Sequence, residues 1–396
     1  MKLDMKLIAS LFLAIGALCT ATARADAVTD WNIRSGEVIV EARLATQPAV
    51  RVMAIVQTAA HRAVVTASQR GASVEAALAA SHRMTLTQLL PAQQPMVEAA
   101  YKAALGAIAD NATKLDGIAD GEAAAQAVLA ARADDGAAAP ETYRPHTTAG
   151  AYVPTATPAV TQWPQRKPWL MRNPAQFRPA GPPALTSETW ARDFNEVKAL
   201  GGRTSARRST EQTDVARFWD YSAPPIYHAL VRSVALQPGR SLERNARLFA
   251  AVAQAMDDAL IAVFEAKYHY RFWRPVTAIR NADLDGNDAT EREAGWSPLI
   301  DVPMHPEYPA AHSVLAASLG TVLAAELGSG PLPVLTTSSP TAKGAARRYQ
   351  SIDALVKEVG DARIWGGVHY RTATEVGARL GSQVGELAAA WLRAAP

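Results

Sequence analysis

Cysteine is almost absent. The 396-residue chain has one, Cys19, and it lies in a segment that reads as a cleaved leader. Lys2 and Lys6 precede an apolar run from Leu7 to Leu18, and Ala23-Arg24-Ala25 supplies small residues for cleavage. That is the pattern of a secretory signal peptide, too short to be a spanning helix. Leu18 is a poor match to the small residue that precedes the cysteine of a lipoprotein signal. Removal of residues 1–25 would leave no thiol, which excludes disulfides, thiolate metal sites and a cysteine nucleophile. The expected location is secreted, in periplasm or medium. An excess of one charge is also lacking: without Lys2, Lys6, Arg24 and Asp4 there remain 37 basic and 36 acidic residues, a net +1. Nothing there points to nucleic acid. Beyond the leader no apolar run approaches about 18 residues, so no membrane span is expected. Aromatics make up only 7% of the chain. With Ala plentiful and no alternating run, helix is favoured over sheet.

What is present is helical periodicity. From Pro48 to about Gln69 apolar residues recur at Val50, Val52, Met53, Val56, Ala60 and Val64. Further helices are expected over about 73–81, 92–109 and 121–133. Between Pro140 and Pro183 lie ten of the 25 prolines, and residues before proline avoid the helical region. Trp163, Trp169, Leu170 and Phe177 make this an irregular segment that packs, wrapping a helical body. Helices resume after Thr186 or Ser187 as cap, from about Thr210, from Ser241 to about Tyr270, and over about 311–327, 342–359 and 374–392. The helix ending near Tyr270 is apolar nearly all round and should be central. The expected class is all-α, a helical bundle: a leader (1–25), then one domain (26–396) with N-terminal helices (26–139), the Pro-rich wrap (140–185) and a helical core (186–396).

Three short stretches carry chemistry. KYHYRFWRP places Lys267 and Arg274 seven apart, two turns along one helix face. Phe272 and Trp273 beside Arg274 suggest a desolvated guanidinium, which seeks an anion. HPEYPAAHS, His305 to Ser313, puts His312 in the first turn of an Ala-rich helix, where unpaired N–H groups and the helix dipole attract anions. ARIWGGVHYRTATEVG holds Arg363 and His369 six apart, with Gly366 and Gly367 permitting a tight turn and close backbone approach to a ligand. Three cations, two imidazoles and the Ala311 N–H together suit a tetrahedral or trigonal-bipyramidal oxyanion such as phosphate or vanadate.

The order Lys, six residues, Arg-Pro; Pro-x-x-His; Arg, five residues, His resembles the signature shared by vanadium-dependent haloperoxidases and type 2 phosphatidic acid phosphatases. Here it reads Lys267…Arg274-Pro275, Pro309-Ala310-Ala311-His312 and Arg363…His369. Asp30-Trp31-Asn32 and LTSETWARDFNEVKALGG also resemble secreted bacterial members. The resemblance implies that vanadate is the cofactor, bound apically through His369. In a phosphatase His369 would instead attack phosphorus. His312 is implied as acid/base, and Lys267, Arg274 and Arg363 as partners of the equatorial oxygens, with Lys267 polarising peroxide. His305, four before the motif proline, resembles the bromoperoxidase pattern and is implied in halide preference. The implied partners are hydrogen peroxide and halide (bromide or iodide), or small phosphate esters for an acid phosphatase, with a homodimer left open. A third reading is an oxyanion-binding protein without turnover.

Two positions depart from the family. Ala310-Ala311 stands where Ser-Gly is usual, which removes a hydroxyl donor but keeps the Ala311 N–H. Ala373 stands where an Asp often follows the last His, so an orienting carboxylate must come from Glu375, Asp361 or Glu307. NADLDGNDATE (281–291) superficially resembles a calcium loop. Its glycine is at the fourth position, and an Asx-rich turn fits better.

Overall fold

Asp26, Ser73, Asn111, Ser187, Ser209, Ser241 and Ser351 each accept the backbone N–H three residues on, and each opens a helix. The computed structural model describes residues 26–394. The leader, Cys19 and the cleavage point at Ala25 therefore lie outside the described residues. In chain order the helices are α1 (Ala27–Glu41), α2 (Thr46–Arg70), α3 (Val74–Leu89), α4 (Gln94–Gly106), α5 (Ala112–Arg132), α6 (Glu188–Gly201), α7 (Thr210–Phe218), α8 (Pro224–Ala235), α9 (Leu242–Tyr270), α10 (Pro275–Arg280) and α11 (Ala311–Leu327). Then come strands β1 (Leu335–Ser338) and β2 (Ala346–Tyr349), and helices α12 (Ile352–Trp365) and α13 (Arg371–Ala394). The all-α expectation holds. No helix among the described residues is long and apolar enough to cross a membrane.

Helix α9 is central, as its composition suggests. It packs against α2 on one side and α11 and α13 on the other. Leu248, Phe249, Val252, Met256, Leu260 and Phe264 are all buried in a core that runs from Val28 to Ala388. Helices α11 and α13 touch backbone to backbone: a Cβ at Gly381 would run into the Val314 carbonyl. This contact holds the N-terminus of α11, and with it His312, close to the chain that carries His369.

Helix α9 is apolar nearly all round, as expected, except that Asp257 and Asp258 are fully buried in its middle. They anchor the Pro-rich segment. The Arg166 guanidinium donates to Asp257 at 2.5 Å and to Asp135 at 2.7 Å, and Asp258 accepts the N–H groups of Trp169, Leu170 and Met171 at 2.7, 2.8 and 3.0 Å. The helix expected over 342–359 is split. Residues 346–349 pair antiparallel with 335–338, because Lys343 and Gly344 turn the chain through left-handed conformations. The helix begins only after the Ser351 cap. Helix α8 has no counterpart among the helices expected from the sequence; Pro224-Pro225 opens it, proline being suited to the first helical turn. Among the elements that were expected, α3 runs on past Ser81 to Leu89 and α5 starts at Ala112 rather than near Gly121.

Burial also fixes an acid response. His61 and His82 are pulled down to about 4 and His228 to about 3, in each case chiefly by desolvation of the charged form. A base whose folded pKa is depressed binds protons more readily unfolded, so its stabilising contribution is lost as pH falls from about 6.5 toward about 4. Asp220, Asp258 and Glu307, all raised by burial, work the other way, but they are outnumbered, since His305, His312 and His369 are pulled down as well. Each histidine contributes up to about 1.4 kcal/mol per pH unit. The midpoint of thermal unfolding is expected to fall steeply between pH 6 and 4. A flat profile over that range would contradict the packing of these rings.

Candidate functional site

The expected continuous helix from Lys267 to Arg274 does not exist. Helix α9 stops at Tyr270, with Arg271 left-handed at φ 51° and its N–H closing onto the Lys267 carbonyl. Pro275 bars a helical conformation at Arg274, which becomes the N-cap residue of α10. The chain between is pinned to the Pro-rich segment by Tyr152 N–H to Arg271 O and Trp273 N–H to Gly150 O. The two cations therefore meet by a reversal of the chain, not by helical spacing.

They meet around the loop that precedes α11. Lys267 Nζ donates to the carbonyls of Pro306 and Glu307 at 2.9 and 2.7 Å. Arg274 Nε donates to His305 O at 2.9 Å and its Nη2 to His305 Nδ1 at 3.0 Å. Its Nη1 donates to Val368 O at 2.8 Å and lies 3.3 Å from His369 Nε2. Arg363, on α12, donates from Nη1 to the Trp219 carbonyl at 2.8 Å, leaving its Nε buried without a partner. His312, the second residue of α11, has a buried Nε2 with no partner either. It alone of the set is half-buried. His305 stacks edge-on to Phe264 at 4.9 Å.

His369 follows a turn that needs its glycines. Gly367 is at φ +79°, and a Cβ there would collide with the Gly201 backbone at the end of α6. The close approach anticipated at this glycine is thus to α6 rather than to a ligand. Beyond the turn the His369 ring is held by Glu307, whose Oε1 lies 2.7 Å from Nδ1 and also accepts the Tyr370 N–H at 3.0 Å. Burial and the adjacent Arg274 push His369 well below its ordinary value, which favours a neutral imidazole whose Nδ1 faces the Glu307 carboxyl group.

Electrostatically the pocket lacks negative charge. Lys267, Arg274 and Arg363 are essentially inaccessible to solvent. Burial holds Arg274 and Arg363 down to about 10, and burial with the nearby Arg274 pulls Lys267 well below its usual range. Against three cations stands one fully buried carboxylate, Glu307, which burial raises to about 7, with Asp220 favouring the charged form of Arg363. Helix α11 begins at Ala310 without a side-chain cap, unlike α9 or α12. Unpartnered Arg363 Nε and His312 Nε2, excess buried positive charge and an uncapped helix start are the complement of an oxyanion. A cleft of about 220 Å³ reaches Arg274 between Tyr152, Val276, Pro298 and Ile300.

Of the residues expected at the site, Lys267, Arg274, His305 and His369 meet around the 305–307 loop, and Arg363 and His312 are electrostatic neighbours of this group, with Ala311 adjoining His312 in α11. The Trp219 carbonyl carries no sequence signal. The 281–291 stretch is the Asx-type turn expected: Asp285 accepts from Asn287 N, Thr290 Oγ1 and Trp190 Nε1, and no cluster among the described residues is set to hold a metal ion.

Residues 247–395 match the family model of the VCPO second helical-bundle domain, a range that contains all three motifs. Over that range the chain is similar to this domain. A curated relative, vanadium chloroperoxidase of Curvularia inaequalis, is 30% identical over 174 residues, which is 36% of this chain and 28% of that protein. The chain thus matches less than a third of that relative's length. Among solved structures, a bacterial vanadium-dependent iodoperoxidase superposes with a TM-score of 0.75 at 22% identity, covering 91% of this chain and 95% of that one. A bacterial vanadium-dependent chloroperoxidase in its holo form gives 0.72 at 19%, covering 91% and 92%. At these identities the likeness establishes the helical-bundle fold across most of the chain.

Proposed function

We propose that the protein is a vanadate-dependent haloperoxidase that oxidises bromide or iodide with hydrogen peroxide. The observation that carries this reading is the buried cage of Lys267, Arg274 and Arg363, closed by two imidazoles and the uncapped start of α11. The relatives' names, chloroperoxidase and iodoperoxidase, support it. Bound vanadate would act as a Lewis acid toward peroxide. His369 Nε2, with Nδ1 occupied by Glu307, is the atom that would bond vanadium. Lys267, Arg274, Arg363 and the Ala311 N–H would hold its oxygens, and His312 Nε2 would give and take the proton. The cleft at Arg274 is smaller than the roughly 300–1,000 Å³ of drug-sized sites, in keeping with peroxide and halide as substrates. Secretion with cleavage near Ala25 belongs to the same reading, on the strength of residues 1–25.

An acid phosphatase would use the same cage on phosphate esters, and the Glu307–His369 contact favours it as second reading, because it turns Nε2 toward Arg274 and the cage, where it could act as a nucleophile. Equilibrium titration with orthovanadate tests the first reading: saturable one-site binding is expected, and no binding would remove it.

His305→Phe tests the halide assignment. The substitution removes the acceptor of Arg274 Nη2 and replaces a polar wall by an apolar one. The ratio of bromide to iodide turnover is expected to move by about tenfold, in the range usual for one altered pocket contact. A ratio unchanged from wild type would take His305 out of halide selection.

A further inference from the structure

We infer that Glu307 is the positioning residue of His369, replacing from the loop before α11 the carboxylate that Ala373 lacks; this rests on the oxyanion reading above. Ala373 itself lies in an apolar cluster with Trp190, Phe272 and Tyr370, no place for a carboxylate. Of the three acidic residues that could compensate, Asp361 is engaged by Arg371 and Lys357 and Glu375 faces solvent. Only Glu307 reaches the ring.

Glu307 also ties the three motifs together. Its N–H donates to Phe272 O at 2.9 Å, its carbonyl accepts from Lys267, and its carboxylate accepts from both His369 Nδ1 and Tyr370 N. Both of those donors use Oε1, and Oε2 is buried with no partner. A carboxylate accepting from Nδ1–H fixes the ring tautomer, aims the Nε2 lone pair at the cage and raises its basicity.

The charge of Glu307 gives its role an unusual signature. An anion bound by the cage alone is repelled by this carboxylate, whereas one that bonds Nε2 gains from it. Orthovanadate belongs to the second kind and sulfate to the first. Glu307→Gln keeps the volume and an acceptor but removes the charge. In this variant the full chain is expected to bind orthovanadate ten- to hundredfold more weakly, while sulfate affinity is unchanged or higher. Equal weakening of both anions, or of neither, would overturn the inference, since a merely structural Glu307 moves both alike. Histidine ¹⁵N spectra of the wild-type chain without added anion provide a second readout. His369 is expected to be protonated on Nδ1; a ring protonated on Nε2 would overturn the inference. Should wild type fail to bind orthovanadate, the proposed function falls, and the tautomer alone decides the role of Glu307.

Discussion

Replacing His369 by alanine is expected to weaken orthovanadate binding by about a hundredfold or more, at or beyond the upper end of what removing a supporting carboxylate does, and to abolish halide oxidation. The expectation follows from what remains. Without the ring, Lys267, Arg274, Arg363 and the start of α11 are still in place, so sulfate binding should survive. What is lost is the ring nitrogen that faces the cage, Nε2, whose partner nitrogen is held by Glu307. Burial and Arg274 keep that nitrogen unprotonated at neutral pH. Parallel orthovanadate and sulfate titrations of His369→Ala check this directly. Retention of wild-type orthovanadate affinity would show that the cations alone hold the anion, and His369 would lose its assigned part.

The second large effect lies away from the site. Arg166→Ala is expected to destabilise the protein by about 3–5 kcal/mol, the usual cost of removing one partner of a buried ion pair. The Arg166 side chain is completely buried, as are the carboxylates of Asp257 and Asp135 that it bridges. Its removal strands the Asp257 carboxylate in the core and takes one of two arginines from Asp135. Asp257 keeps only the Trp169 Nε1–H at 2.8 Å, and Asp135 keeps Arg51 at 2.8 Å. For a chain of this size the loss corresponds to a fall in unfolding midpoint of about 4–6 °C. Removing the exposed Arg393–Glu386 pair should leave the midpoint unchanged, because solvent screens it. A midpoint for Arg166→Ala within a degree or two of wild type would mean that the Pro-rich segment is not anchored through α9.

The helical class was legible because amphipathic spacing and Ser caps are local signals. Ser241, Ser187 and the start at Ala311 all stand where the pattern places them. The site was legible because its residues form a fixed order along the chain. The geometry that assembles them was not. Lys267 and Arg274 look like two turns of one helix, yet the left-handed Arg271 and Pro275 break it, and only tertiary contacts with residues 150–152 set the reversal. Asp257 and Asp258 read as interruptions of an apolar face until Arg166 and the N–H groups of 169–171, nearly ninety residues away, are brought to them. Glu307 was one of three acidic residues with equal claim, since carboxylate reach is a property of the folded chain. The ribbon at 335–349 was hidden because four-residue strands show too little alternation, and Gly344 alone marks the turn.

The measurement that tests the account most directly is bromide-dependent oxidation by the purified chain with hydrogen peroxide, with and without prior orthovanadate loading. Activity that appears only after loading, and is lost in His369→Ala, is the predicted result. No halide oxidation under either condition, with hydrolysis of a phosphate ester that orthovanadate inhibits, would contradict it and assign the cage to phosphoryl transfer.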